Sequence, residues 1–287
     1  VKAGWAQVRA TSLSTIINAA GAMSSTENTG IGVSIGITYA KRTTRAVIGA
    51  LDAGSTGTLD WDLSGDLALT ARNDGALYAF ALAGSKAVAK QPVAEKPADG
   101  AGAGGAGADG GEGDPLDGVA FTTIFDDPLP APADPAPAAP AGKPKATTSF
   151  AATGAIGVNL IDDSTVAQIN GVGTIRAAGA VAINAQQDTA IVAMVGGVAW
   201  ANGTATNSKA VGIAGAFAVN SVTAVARTLV QDATITAASV SDQARRTGNI
   251  ISGTVGAAGA KGKKGLAVAG SVSWNRVDAT TEALVRS

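Results

Sequence analysis

An alanine followed six positions later by a branched apolar residue recurs four times in this chain: Ala10 and Ile16, Ala71 and Leu77, Ala185 and Ile191, Ala244 and Ile250. Positions four and two before that alanine are apolar in three cases, Ala6 and Val8, Leu67 and Leu69, Val181 and Ile183. In the fourth, Val240 is joined by Asp242. The period is about 58–61 residues, apart from one long spacing between Ala71 and Ala185. A fixed period of this length predicts units that stack on their neighbours rather than one closed globule. Such arrays offer extended surfaces and reach more readily than a single catalytic pocket.

A second anchor keeps the same phase. Asn159, Asn220 and Asn275 are each followed ten positions later by a β-branched residue, Ile169, Val230 and Val285, and Thr38 with Ile48 stands in their place nearer the start. Before each anchor the side chains alternate large, small, large: Ile35-Gly36-Ile37, Ile156-Gly157-Val158, Phe217-Ala218-Val219, Val272-Ser273-Trp274. A period of two belongs to a strand, whose successive side chains point to opposite faces. Helix is disfavoured by the glycines spread through the same segments, at about 1 kcal/mol each in a helix interior.

The expected fold class is therefore all-β, a repetitive β-solenoid of four copies of about 58 residues, spanning 1–61, 62–175, 176–234 and 235–287, with hairpin excursions. Residues 191–201 are expected to pair with 210–220, and 250–260 with 266–275, as hairpins. The large side of the alternation, with Val158, Phe217, Val219 and Trp274, is expected to face the core. The recurrent asparagine reads either as a stacked ladder of side-chain amides (Asn159, Asn220, Asn275) or as a turn residue that tolerates left-handed backbone, and the turn reading is preferred because Thr38 replaces it once. Neither end of the chain carries a recognisable cap, which predicts a segment of a longer protein.

A stretch from about 90 to 147 accounts for the long spacing. It takes the place of a short polar loop, is rich in Ala, Gly, Pro, Asp and Lys, and lacks strand periodicity. It is expected to be a disordered insertion, since loop closure costs little more as a loop grows. Within it, Gly104-Gly105-Ala106-Gly107-Ala108-Asp109 fits the first six positions of a calcium-binding glycine-rich nonapeptide, with Asp114 following. Glycines allow the tight turns and carboxylates supply hard oxygen for calcium. One imperfect motif does not build a stack of turns, so Asp109 and Asp114 stand as weak calcium candidates and a flexible acidic linker is the favoured reading. Phe121 and Phe125 flank a short apolar stretch that offers a contact surface.

Composition narrows the function classes. The formal net charge is −1, which gives no electrostatic case for nucleic acid. There is no cysteine and no histidine, so thiolate nucleophiles, the usual zinc ligands and the commonest general base are missing. The longest apolar run, 190–201, is short for a transmembrane helix, which needs about 20 residues. Asp60-Trp61-Asp62 sets two carboxylates two positions apart beside a large aromatic, the best available candidate for a sugar or calcium contact. Asp126-Asp127 and Asp162-Asp163 read as turn residues, because strand neighbours point to opposite faces. Asn202-Gly203-Thr204 matches an N-glycosylation sequon, and Lys261, Lys263 and Lys264 mark a solvated loop tip. No catalytic constellation emerges and no cofactor is expected.

Several stretches resemble a known family. Leu266-Ala267-Val268-Ala269-Gly270-Ser271-Val272-Ser273-Trp274-Asn275, Thr281-Glu282-Ala283-Leu284-Val285 and Gly179-Ala180-Val181-Ala182-Ile183-Asn184-Ala185 are similar to repeats of the large filamentous-haemagglutinin-like and leukotoxin-like adhesins of bacteria. The resemblance covers the four copies and not the insertion. It implies an elongated β-solenoid at a Gram-negative cell surface or secreted from it, an adhesive rather than enzymatic role in cell–cell or cell–surface contact, and partners that include adjoining repeats of the same chain and a partner-cell surface or glycan. A carbohydrate-binding or carbohydrate-active β-helix and a secreted toxin-like protein are the alternatives.

Overall fold

The computed structural model describes residues 1–51, 58–89, 147–204 and 208–286. Almost all of the expected insertion, with Asp109, Asp114, Phe121, Phe125 and the Asp126-Asp127 pair, lies outside the described residues. The rest is all-β and contains no helix. In chain order the strands are β1 (Lys2–Ala3), β2 (Ala6–Glu27), β3 (Thr29–Gly49), β4 (Thr58–Leu63), β5 (Leu67–Ala89), β6 (Thr148–Ala177), β7 (Ala180–Gly203), β8 (Lys209–Thr236), β9 (Ser239–Lys261) and β10 (Lys264–Arg286). They form two sheets. Sheet one runs β1-β4-β6-β8-β10, with β3 beside β6, and sheet two runs β2-β5-β7-β9. Every pairing is parallel. The chain alternates between the sheets, so each long strand pairs with its equivalents before and after it.

Both sequence anchors sit in register. Ala10, Ala71, Ala185 and Ala244 are direct partners in sheet two, as are Ile16, Leu77, Ile191 and Ile250. Thr38, Asn159, Asn220 and Asn275 are direct partners in sheet one, followed by Ile48, Ile169, Val230 and Val285. The hairpins do not form. β7 hydrogen-bonds to β5 and β9, while β8 hydrogen-bonds to β6 and β10. Residues 191–201 instead face 210–220 across the space between the sheets. A parallel strand with matched partners on both sides satisfies its backbone groups without using the strand that follows it in sequence.

The interior changes along each strand. Where sheet two begins its strands and sheet one ends them, the core is bulky: Leu59, Leu63, Leu67, Leu69, Ile169, Ile175, Val181 and Ile183 pack as one cluster. The outward positions there are polar, as in Thr70, Arg72, Asn184 and Gln186. Towards the opposite end the interior shrinks almost to alanine, with Ala81, Ala83, Ala155, Ala216 and Ala218 around Val195, then Ala87, Ala151, Ala199, Ala201, Ala210 and Ala214. The sheets come so close here that a Cβ on Gly197 would lie 2.6 Å from the Gly215 carbonyl oxygen, and one on Gly212 or Gly256 would lie 2.5 Å from the carbonyl oxygens of Gly259 or Gly270. Ordinary stacked sheets keep about 10 Å between them. Gly49, at φ +94°, ends β3 pressed against the Asn170 carbonyl, a backbone conformation and an approach that a side chain would prevent.

This close approach reverses the expected faces. Phe217 is 44% exposed and Trp274 54% exposed, and Val158 and Val219 also point outward, only partly covered. Their small neighbours Gly157, Ala216 and Ala218 turn inward instead. Alternation of large and small defines two faces; the width of the gap decides which one fits inside. Two substitutions should separate the readings. Gly197→Val should destabilise the chain by about 1–3 kcal/mol through overpacking. Phe217→Ala should change stability by less than about 1 kcal/mol, well below the ~3–5 kcal/mol of a buried phenylalanine. Urea denaturation of both variants measures the difference.

Candidate interaction surface

The large side chains excluded from the narrow interior line up on the two outer faces. On sheet one, Ile35, Ile156, Phe217 and Val272 form one row across the strands, and Ile37, Val158, Val219 and Trp274 form the next. On sheet two the corresponding rows are Ile17, Tyr78, Val192 and Ile251, then Ala19, Phe80, Met194 and Gly253. Of these, Ile35, Ile37, Ile156, Phe217, Val272 and Trp274, with Ile17, Tyr78, Met194 and Ile251, are exposed. Charge returns only at the margins. One margin of sheet one carries ion pairs of Lys41 with Asp162 and of Arg276 with Asp278, each 3.3 Å long. The other is set by Lys209 and Lys264 at the strand starts. Apolar patches of this extent are uncommon on monomeric soluble proteins and mark interaction sites.

The interior of the middle region sets an apolar cluster of Leu77, Ile161, Ile191 and Val222 beside a polar group centred on Arg42 and Asp163. Arg42 of β3 and Asp163 of β6 are direct cross-strand partners pointing between the sheets. The Asp163 side chain is fully buried and that of Arg42 is 12% exposed. The Arg42 Nε donates to Asp163 Oδ1 at 2.7 Å, and its terminal nitrogens reach Asp163 Oδ2 and, at 2.6 Å, Ser14 Oγ. Thr189 Oγ1 and Gln187 Nε2 of sheet two donate to Asp163 Oδ2 at 2.7 and 3.2 Å. Gly75 leaves the space that the guanidinium fills. A buried pair remains tolerable only with such extra partners, because desolvation of the two charges is costly. The group ties both sheets together and exposes only a small part of Arg42 to solvent.

Asn159, Asn220 and Asn275 lie within strands rather than turns. Asn159 Nδ2 donates to Asn220 Oδ1, and Asn220 Nδ2 to Asn275 Oδ1, both at 2.8 Å. Asn220 Nδ2 also reaches Ser252 Oγ of the facing sheet at 3.0 Å. At the start of the row, Thr38 Oγ1 accepts from Asn18 Nδ2 at 2.7 Å.

The sugar-contact candidate separates. Asp60 and Asp62 are exposed on the outer face, but Trp61 points the other way and packs on the bulky core. A shallow depression of about 500 Å³ nearby is lined by Asp62, Lys2, Ser64 and Arg176, without Asp60 or Trp61. Asp162 and Asp163 are mid-strand rather than in a turn: one meets Lys41 outside, the other Arg42 inside. Among the described residues no three acidic side chains gather as a metal site, and no helix is long and apolar enough to cross a membrane.

Sequence reasoning missed the Arg42–Asp163 group and the outer apolar faces. The first left no periodic signal, since Ala224 and Ala279 continue the row after Asp163. The second left one: between residues 190 and 201, and again between 210 and 219, neither set of alternate positions carries a charge. A face exposed to water alone would carry some. Comparison with family models, curated proteins and solved structures gives no match to this chain.

The two neighbouring carboxylates should respond differently to removal. Asp163→Ala leaves the Arg42 cation buried and should cost about 3–5 kcal/mol. Asp162→Ala removes an exposed pair and should cost no more than about 1 kcal/mol. Chemical denaturation of the two single variants provides the comparison.

Proposed function

We propose that this chain is a β-solenoid segment of a large adhesive protein at a bacterial cell surface, similar in kind to the filamentous-haemagglutinin-like and leukotoxin-like adhesins. Its role is structural reach and cell–cell or cell–surface contact rather than catalysis. The observation that carries this reading is the stacking of like on like: alanine on alanine, asparagine on asparagine and branched residue on branched residue, in one parallel register. In this reading a coil is one strand of sheet two followed by one row of sheet one. Rows can be added without altering the cross-section, which suits a filament that holds contacts far from its anchor. Repeated copies of one weak contact then act multivalently.

Two measurements test this. Residues 176–234 expressed alone should show no cooperative thermal transition, because a single coil leaves its open strand edges and half its contacts unpaired. A cooperative melt would remove the solenoid reading. Surfaces coated with the 287-residue chain should retain bacterial or epithelial cells above an albumin-coated control. Retention equal to albumin for every cell type tried would remove the adhesive one.

A further inference from the structure

We propose that the apolar outer face of sheet one is a self-association surface, docking face to face on the same surface of a second copy of this chain. The proposal stands on the geometry of that face and does not rest on the adhesion reading.

Parallel sheets are almost always covered on both sides. Sheet one is covered on one side by sheet two and bare on the other. The bare face is corrugated. The ridge that holds Ile156, Phe217 and Val272 lies beside a furrow at Gly154, Gly215 and Gly270, two positions earlier on each strand, which Val33 closes at β3. Ridge and furrow are therefore about 7 Å apart along the strands, and each repeats across the sheet at the spacing of neighbouring strands, about 4.8 Å. A second copy carries the same two spacings, so the Ile156–Phe217 ridge of each copy can seat in the Gly154–Gly215 furrow of the other when the face is turned over upon itself. A partner with different spacings would match at one row and clash at the next.

Charge and area agree with that occupant. The margin holds cations and anions in pairs, Lys41 with Asp162 and Arg276 with Asp278, so a two-fold arrangement does not set a field of one sign against itself. The four strands β3, β6, β8 and β10, each contributing about nine residues, cover about 600 Å² per copy, or about 1,200 Å² in total. That is the lower end of specific protein interfaces and fits a reversible dimer. A lipid bilayer is the poorer occupant. Insertion from the narrow end would carry Lys209, Lys261 and Lys264 through hydrocarbon.

Sedimentation velocity on the complete chain, from about 1 to about 100 μM, reads the outcome. The expected result is a weight-average mass that rises towards twice that of the 27.8 kDa monomer. Phe217→Lys should hold the chain monomeric with an unchanged melting midpoint. Met194→Lys, on the outer face of sheet two, should leave dimerisation within about twofold of the parent chain. If Phe217→Lys does not fold, Ile35→Lys serves instead, at a position 56% exposed. A chain that stays monomeric throughout, a lysine at Phe217 or Ile35 without effect, or dimerisation abolished only by Met194→Lys overturns the proposal. Flotation of the monomeric chain with phosphatidylcholine vesicles, lost in Phe217→Lys, also overturns it and assigns the face to lipid. Cell retention by a chain that never dimerises would leave the adhesion reading intact while removing this one.

Discussion

The separation of the two sheets governs the rest of this molecule. Over roughly half the length of each strand, backbone faces backbone with alanine, glycine, small polar side chains and Val195 between them. Once that gap is set, the large side chains in the region turn outward, except Val195, which fits inside where Gly157 leaves room. The interior gives up burial of large apolar area, the principal favourable term in folding. In return it gains dense contact between small groups, whose dispersion attraction is collectively large. At the other end the sheets part, and Leu67, Leu69, Ile169, Ile175, Val181 and Ile183 form a conventional core with polar groups outside. A strand of sheet two thus changes its inside–outside logic partway along without a break in pairing, whereas β6 shifts register against β8 between Asn170 and Gly173.

Register needs a separate explanation, because alanine and glycine specify it weakly. A slip by one position along a strand exchanges its two faces. In the narrow region that would force Phe217 or Ile156 into space sized for alanine. The asparagine row adds a second constraint, since Asn159, Asn220 and Asn275 bond only when directly opposed. The Arg42–Asp163 pair adds a third, joining β3 and β6 of one sheet to Gln187 and Thr189 of the other. Each polar layer is worth modest net stability when intact and is expensive to misalign. Their service is therefore specificity: they penalise shifted states more than they favour the native one.

Much of the frame was legible from spacing. The Ala–Ile and Asn–Val anchors mark residues that prove to be direct partners, because in-register stacking imposes the same environment at each repeat of the phase. Three things were not legible. The partners of 191–201 and 250–260 are not the segments that follow them, 210–220 and 266–275, since a short polar connection looks the same whether it joins hydrogen-bonded strands or crosses between sheets. The inside face was assigned to the large residues, a sound rule for a wide gap that fails at Phe217 and Trp274. The Arg42–Asp163 group was hidden because Asp162 and Asp163 look alike in sequence, and only the direction of each side chain separates an exposed ion pair from a buried one.

The same constraint connects architecture to contact. A narrow interior is compatible with any number of stacked rows, because small residues fit against one another without local adjustment. It also obliges each row to present its large apolar side chains outward at the same level. Lengthening such an array therefore lengthens an apolar stripe on each outer face. Interaction area grows in proportion to the number of rows, while the affinity per row stays small. Under the proposed adhesive role, a filament built this way would meet partners through many equivalent weak contacts rather than one pocket. Its charged margins, Lys41 with Asp162 and Arg276 with Asp278, confine that stripe to the narrow region and keep the remainder of the surface hydrated.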